Sequence, residues 1–360
     1  MTDKFGVNIS NFQNIQGKKE ATNIRKKIIK IVAKYGLDDT EWAQAISSQY
    51  FLLSLSRMLN CSTKDYRNLM NRCLSSFNVT YTGDYILDSD RLLITPDETN
   101  RIVECMKNED IKDDYYTHSA KMSAYNIDSQ QMYFNYHYGL LIKIVSSEDT
   151  EVLRALKHQC INCLLAESAI DSSGGWYPYR VPWISARILI SLRSVDFDSY
   201  PDKSKLESYI SEAIESLFQR IDEISPYWRS GVGEWVSQWE STALCLEAIY
   251  VWDAIHERLQ DIERIIKYSC SEANKDEWLC HRHDFSSEED ANKALSSIIL
   301  ASTILRITKD FYPDIYENIS DDIMKLFENV INIISKQKVD VVRQYCTIPQ
   351  ILYYVLVAIQ

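Results

Sequence analysis

Two kinds of apolar segment alternate along this chain. The first is apolar at nearly every position: Met132-Tyr133-Phe134, Ile188-Leu189-Ile190, Leu244-Cys245-Leu246 and Ile298-Ile299-Leu300. The second is one-sided. Leu206, Tyr209, Ile210, Ala213, Ile214, Leu217, Phe218 and Ile221 keep i, i+3, i+4, i+7 spacing with charges between them, the signature of a helix with one buried stripe. Ser204 and Glu207 form a capping-box pattern at its start. Ile24, Ile28, Ile31, Val32 and Tyr35 make a second stripe that stops at Gly36. Further one-sided segments fall near residues 153–165, 255–268 and 323–334, with a shorter one at 100–106.

The fully apolar runs recur at a fixed interval. Ser129, Ser185, Ser241 and Ser297 each open one, and each lies 56 residues after the last. Two copies align closely: Trp183-Ile184-Ser185-Ala186 with Trp239-Glu240-Ser241-Thr242. Both follow a Gly- and aromatic-rich loop, Gly174-Gly175-Trp176-Tyr177-Pro178-Tyr179 and Gly231-Val232-Gly233-Glu234-Trp235. Related runs sit near the chain ends, at Tyr50-Phe51-Leu52-Leu53 and at Ile351-Leu352-Tyr353-Tyr354-Val355-Leu356. Pro349 suits the first turn of the last one, where no backbone donor is needed. An extra stretch near 79–96 carries Thr82-Gly83-Asp84 between β-prone residues and predicts a small hairpin insertion.

One period shared by four runs means an array of one supersecondary unit. A helix apolar on all sides must be covered on all sides, whereas an amphipathic helix covers a neighbour and shows its other face to water. Six of each, alternating, predict an all-α protein built as an α/α toroid, six inner helices within six outer ones, over residues 1–360 as one domain. A linear solenoid is the rival, but it needs polar caps at its ends. The apolar final helix lacks one and favours closure.

Charge and composition narrow the function. Net charge is −12, which argues against a nucleic-acid partner, since phosphate binding needs a basic face. No secretory signal or span-length apolar run is visible. Nine scattered Cys read as reduced thiols in a core, hence a cytoplasmic protein. A basic run in the first helix (Lys18, Lys19, Arg25, Lys26, Lys27, Lys30, Lys34) reads as a solvated face.

In a closed ring the inner helices run parallel, and their N-termini converge on one mouth with a partial positive potential. The loops before them supply Tyr125, Asp128, Trp176, Tyr177, Tyr179, Arg180, Trp235, His283 and Arg343 as candidate ligand contacts. Trp183 and Trp239 repeat in register and read as staples between repeats. Trp176, Tyr179 and Trp235 read as pocket walls. Glu234, Glu240 and Asp284 are the carboxylates expected at this rim, able in principle to divide acid and base roles. Glu240 and Asp128 also sit in first helical turns, where an acid is stabilising without any chemistry.

The Gly-x-x-Trp loop, the Trp-x-Ser-(Ala/Thr) helix start and the apolar inner helix resemble the repeats of the terpenoid cyclase and protein prenyltransferase toroids, from about residue 119 onward. The resemblance implies architecture. It does not carry activity, because the Asp-x-Asp-Asp acid of class II cyclases is absent and Asp113-Asp114 does not continue into the Asp-Asp-x-x-Asp metal motif. Cys280-His281 resembles the zinc pair of the lanthionine cyclases, but the preceding loop lacks the matching Cys. Cys280, His281 and His283 are competent zinc ligands, yet adjacent ligands on one loop rarely complete a site, so no cofactor is expected. The expected function is therefore a toroid that binds a small molecule or peptide in an aromatic-lined central cavity. The alternatives are an isoprenoid- or carbohydrate-acting enzyme using the rim carboxylates, and an adaptor that docks protein partners on its outer helices.

Overall fold

The computed structural model describes residues 15–35, 46–60, 80–81, 86–87, 142–144, 151–165, 174–176, 182–222, 224–229, 236–279, 285–345 and 347–360, with 69, 139, 146 and 283. These residues are mainly helical. Helices α1 (Ile15–Tyr35) and α2 (Ile46–Met58) precede a two-residue antiparallel pairing, β1 (Thr80–Tyr81) on β2 (Ile86–Leu87). Then follow α3 (Glu151–Leu164), α4 (Pro182–Leu192), α5 (Lys203–Gln219), α6 (Gln238–Val251), α7 (Leu259–Ser269), α8 (Glu272–Trp278), α9 (Glu288–Phe311), α10 (Pro313–Lys336), α11 (Val339–Gln344) and α12 (Thr347–Ala358). No helix among the described residues is long and apolar enough to cross a membrane.

The fully apolar runs form the core helices. Ser185, Ser241 and Ser297 lie on α4, α6 and α9, all buried; Ser129 lies outside the described residues. Helix α4 packs on α6, α6 on α9, α9 on α12 and α12 on α2. The 56-residue period is the register of one of these contacts. Ser296 reaches Glu240 and Thr303 reaches Glu247, each across 56 residues, so α6 and α9 run parallel in step. Ser302 in turn donates to the Tyr354 carbonyl at 2.9 Å, a close approach of α9 to α12 that only a small residue permits. Gly139 and Lys143 touch the two ends of this series, α4 and α2. A Cβ at Gly139 would meet Ile188 and the Ser191 hydroxyl of α4 at 3.5 Å, and the Lys143 ammonium stands 4.8 Å from the Tyr50 ring of α2.

The one-sided helices lie against this core. On α10, Ile319, Ile323, Leu326, Phe327, Val330, Ile331 and Ile334 are buried at three- and four-residue steps. They face α9 and α1, and α1 buries the expected stripe of Ile24, Ile28, Ile31, Val32 and Tyr35. The chain's two ends are thus joined by α1 and α10. The Tyr35 hydroxyl donates to the carbonyls of Ile334 and Gln337 where α10 stops, filling acceptors that a helix C-terminus leaves open.

Two boundaries differ from the sequence reading. Helix α9 starts at Glu288, nine residues before Ser297. Ser287 caps it by accepting the Asp290 N–H, and Glu288, Glu289 and Asp290 complement the helix dipole. Helix α5 starts at Lys203 with Asp202 at the cap and no side-chain cap bond. Glu207 stands 3.8 Å from Lys203 one turn back and does not complete a box with Ser204.

A repeating tryptophan ties the layers together. Trp176, Trp228 and Trp278 are all buried. Their indole N–H groups donate to Leu164, Leu217 and Ser269, carbonyls in the last turns of α3, α5 and α7. The backbone N–H of Trp176 is held by the Ser185 hydroxyl and that of Trp228 by Thr242. Gly175 allows this approach, since a Cβ there would lie 2.9 Å from the Ser185 oxygen. Each clasp therefore links the end of an outer helix to the start of the next segment, twice through a hydroxyl of the following core helix. Trp228→Phe keeps most of the volume and loses the indole donor; it is expected to lower stability by about 2–3 kcal/mol. Ile224→Ser, at a residue 93% exposed, should stay within about 0.5 kcal/mol. Urea midpoints at unchanged slope check both.

Candidate functional site

Helix α6 is apolar almost all round yet carries two buried acids, Glu240 at 8% exposure and Glu247 at 6%. They stand two turns apart and so share a face. Glu240 is placed by its cap. The Ser237 side chain accepts the Glu240 N–H at 3.1 Å, and the carboxylate turns inward instead of back to the cap. Its Oε1 meets Arg187 Nη2 of α4 at 3.2 Å, and its Oε2 accepts from Ser296 of α9 at 3.3 Å. Glu247 does the same one level down. Its Oε1 meets Arg306 Nη1 of α9 at 3.2 Å, and Thr303 approaches Oε2 at 3.5 Å.

Tyrosines from the far side of the core complete the cluster. Tyr50 of α2 and Tyr353 and Tyr354 of α12 pack around Phe51, with ring centroids 4.9 to 5.7 Å apart. Their phenols are pushed far above the ordinary range, chiefly by burial, and the Glu247 charge adds to this in all three. Lys143 and Arg306 pull Tyr353 back; Arg187 does so for Tyr50 and Tyr354. Residues from α2, α4, α6, α9 and α12, with Lys143, thus act on one another. Arg306 also lies 4.9 Å from the Tyr250 ring.

Four of the residues expected at the rim fall within the described part. Glu240 belongs to the interior cluster. Trp176 is a clasp with its indole donor occupied, the staple role that the sequence suggested only for Trp183 and Trp239. Arg343 donates to the Tyr35 carbonyl at 3.0 Å, closing the end of α1. His283 is buried at the start of α9, with Nδ1 3.2 Å from Asp290 and Nε2 without a hydrogen-bond partner. Asp290 orients the ring. Tyr125, Asp128, Tyr177, Tyr179, Arg180, Glu234, Trp235, Cys280, His281 and Asp284 lie outside the described residues. Among the described residues no three His, Cys, Asp or Glu side chains are grouped to hold a metal ion.

Sequence reasoning passed over Glu247, Arg306, Lys143, Tyr50 and Tyr353. A usable signal was present. Glu247 and Arg306 interrupt otherwise apolar helices, and a charge that repetition places in a core requires a partner of opposite sign. Comparison with protein-family models, with curated proteins and with solved structures gives no match.

Burial is the leading influence on Glu240 and raises its carboxyl above the usual 4.5; Arg187 and then Ser296 draw it back. A raised native value means that the folded protein keeps this proton at a pH where the unfolded chain has lost it. The contribution to stability is then complete below about pH 4.5 and fades as pH rises through the native value. The stability of the protein relative to Glu240→Gln should accordingly fall as pH is raised from 4 to 7. A rise over that range would mean that Arg187 outweighs burial. Arg187→Met alone leaves a buried carboxylate unpaired and should cost about 3–5 kcal/mol, with Arg187→Met/Glu240→Leu recovering most of it.

Proposed function

We propose that the chain is an α/α toroid, one domain over residues 1–360, that binds a small molecule or peptide in its central space. The order of core contacts supports closure: α4, α6, α9, α12 and α2 follow one another, and Gly139 and Lys143 touch α4 and α2. The resemblance of the Trp-Ser helix starts to the terpenoid cyclase and prenyltransferase repeats supports the same architecture. The pairing of β1 with β2 supports a hairpin set into the repeat near 79–96. Free, buried Cys160 and Cys245 support a reducing, cytoplasmic setting.

One observation carries the binding reading. Core helices enclosed on every side should be buried throughout, yet Arg187 and Ile190 on α4, Arg306 on α9, and Tyr353 and Val357 on α12 are partly exposed. Side chains that are surrounded by helices and still reachable border an internal space. Around it stand aromatic rings and a few fixed charges, the composition of small-molecule sites. Glu240 and Glu247 are each engaged by a guanidinium, so they serve as fixed parts of the wall and not as free acids or bases.

Native mass spectrometry of protein taken directly from the cells that make it tests this reading. A retained small molecule or peptide, released on denaturation, is the expected result. Protein free of any adduct, with no thermal shift against a metabolite panel, would contradict it.

A further inference from the structure

We infer that the central space carries a recognition point for one carboxylate, formed by Lys143, Tyr50 and Tyr353. This rests on the closed-ring reading above. Arg187, Arg306 and Lys143 act on this tyrosine cluster, beside the buried acids Glu240 and Glu247. The two arginines are matched to the two acids at 3.2 Å. Lys143 is not. Its ammonium lies 4.8 Å over the Tyr50 ring and has no acidic partner among the described residues. A partly buried ammonium with no acid beside it among the described residues is a place that favours an anion.

The donors beside it fit the same guest. Tyr353 lies within electrostatic reach of Lys143, and its hydroxyl bonds to no described residue. Burial keeps the phenols of Tyr50 and Tyr353 protonated and therefore able to donate. A single unmatched cation suits a singly charged carboxylate; a phosphate monoester would bring a second charge with no counterpart. Val357, partly exposed one turn from Tyr353 on α12, provides apolar surface for the body of the ligand. The ligand class is a monocarboxylate with an apolar body, either a free organic acid or the C-terminus of a short apolar peptide.

Calorimetric titration with four probes tests this. They are benzoate, benzamide, and an acetylated Leu-Leu-Phe tripeptide with a free or an amidated C-terminus. In the unmodified protein at least one acid should bind ~10-fold more tightly than its amide, and the better of the two acids identifies the source. Lys143→Met should abolish that preference. Tyr353→Phe removes only an unpartnered hydroxyl and should weaken the acid several-fold while leaving the amide unchanged; it carries the test if Lys143→Met does not fold. Amides that bind as well as acids, or an acid preference that survives both substitutions, would overturn the inference and leave the central cavity standing. If no probe binds in either form, this inference falls, while the central cavity is decided by the native mass spectrum and the thermal-shift panel.

Discussion

Helix α6 has no face open to water, yet it carries two carboxylates, and everything around it follows from that. A buried acid without a partner costs several kcal/mol, so α6 is stable only where neighbours bring donors to Glu240 and Glu247. Helix α4 brings Arg187 to the upper acid. Helix α9 brings Ser296 to the upper and Thr303 with Arg306 to the lower. A slip of one turn between α6 and α9 would strand Glu247 and take Ser296 from Glu240, which would keep only Arg187. Apolar packing is non-directional and would tolerate such a slip far better. The paired charges therefore fix register, and the apolar surface supplies most of the cohesion.

The outer layer is held by a different device. Outer helices end against the core, where their last carbonyls would lose water without gaining a donor. The indoles of Trp176, Trp228 and Trp278 provide the donor at three such ends, and Tyr35 and Arg343 do the same for α10 and α1. Aromatic residues concentrated near the loops thus solve a capping problem as much as they line a surface. The indole donor recurs at these three described helix ends because the same packing problem recurs there.

Helix type and order were legible in the sequence because both rest on periodicity. The all-round apolar runs at Ser185, Ser241 and Ser297 became core helices, and the stripes of α1, α5 and α10 became one-sided ones. What escaped notice has physical reasons. The Trp clasps are spaced 52 and 50 residues apart, not 56, because loops of different length lie between them and the serines. Ser204 lost its cap role since α5 begins one residue earlier, at Lys203. The interior cluster was harder still. Glu247, Arg306, Tyr50 and Lys143 are distant in sequence, and only the packing of successive core helices brings them together. Glu240 was identified as a site residue for its position at a helix start, while its Arg187 pairing depends on the neighbouring repeat.

Contact of the chain at Gly139 with α4 is the claim on which the proposed interior space, and any ligand in it, depends. Disulfide mapping of Gly139→Cys/Ser191→Cys tests it most directly, since the position of a Cβ at 139 is within 3.5 Å of the Ser191 oxygen. Under mild oxidation the account predicts a near-complete intramolecular 139–191 bond, found by peptide mass spectrometry, in protein that keeps its helical signal and thermal midpoint. Thiols at 139 and 191 that stay reduced, or that pair only with other cysteines of the chain, would contradict the ring.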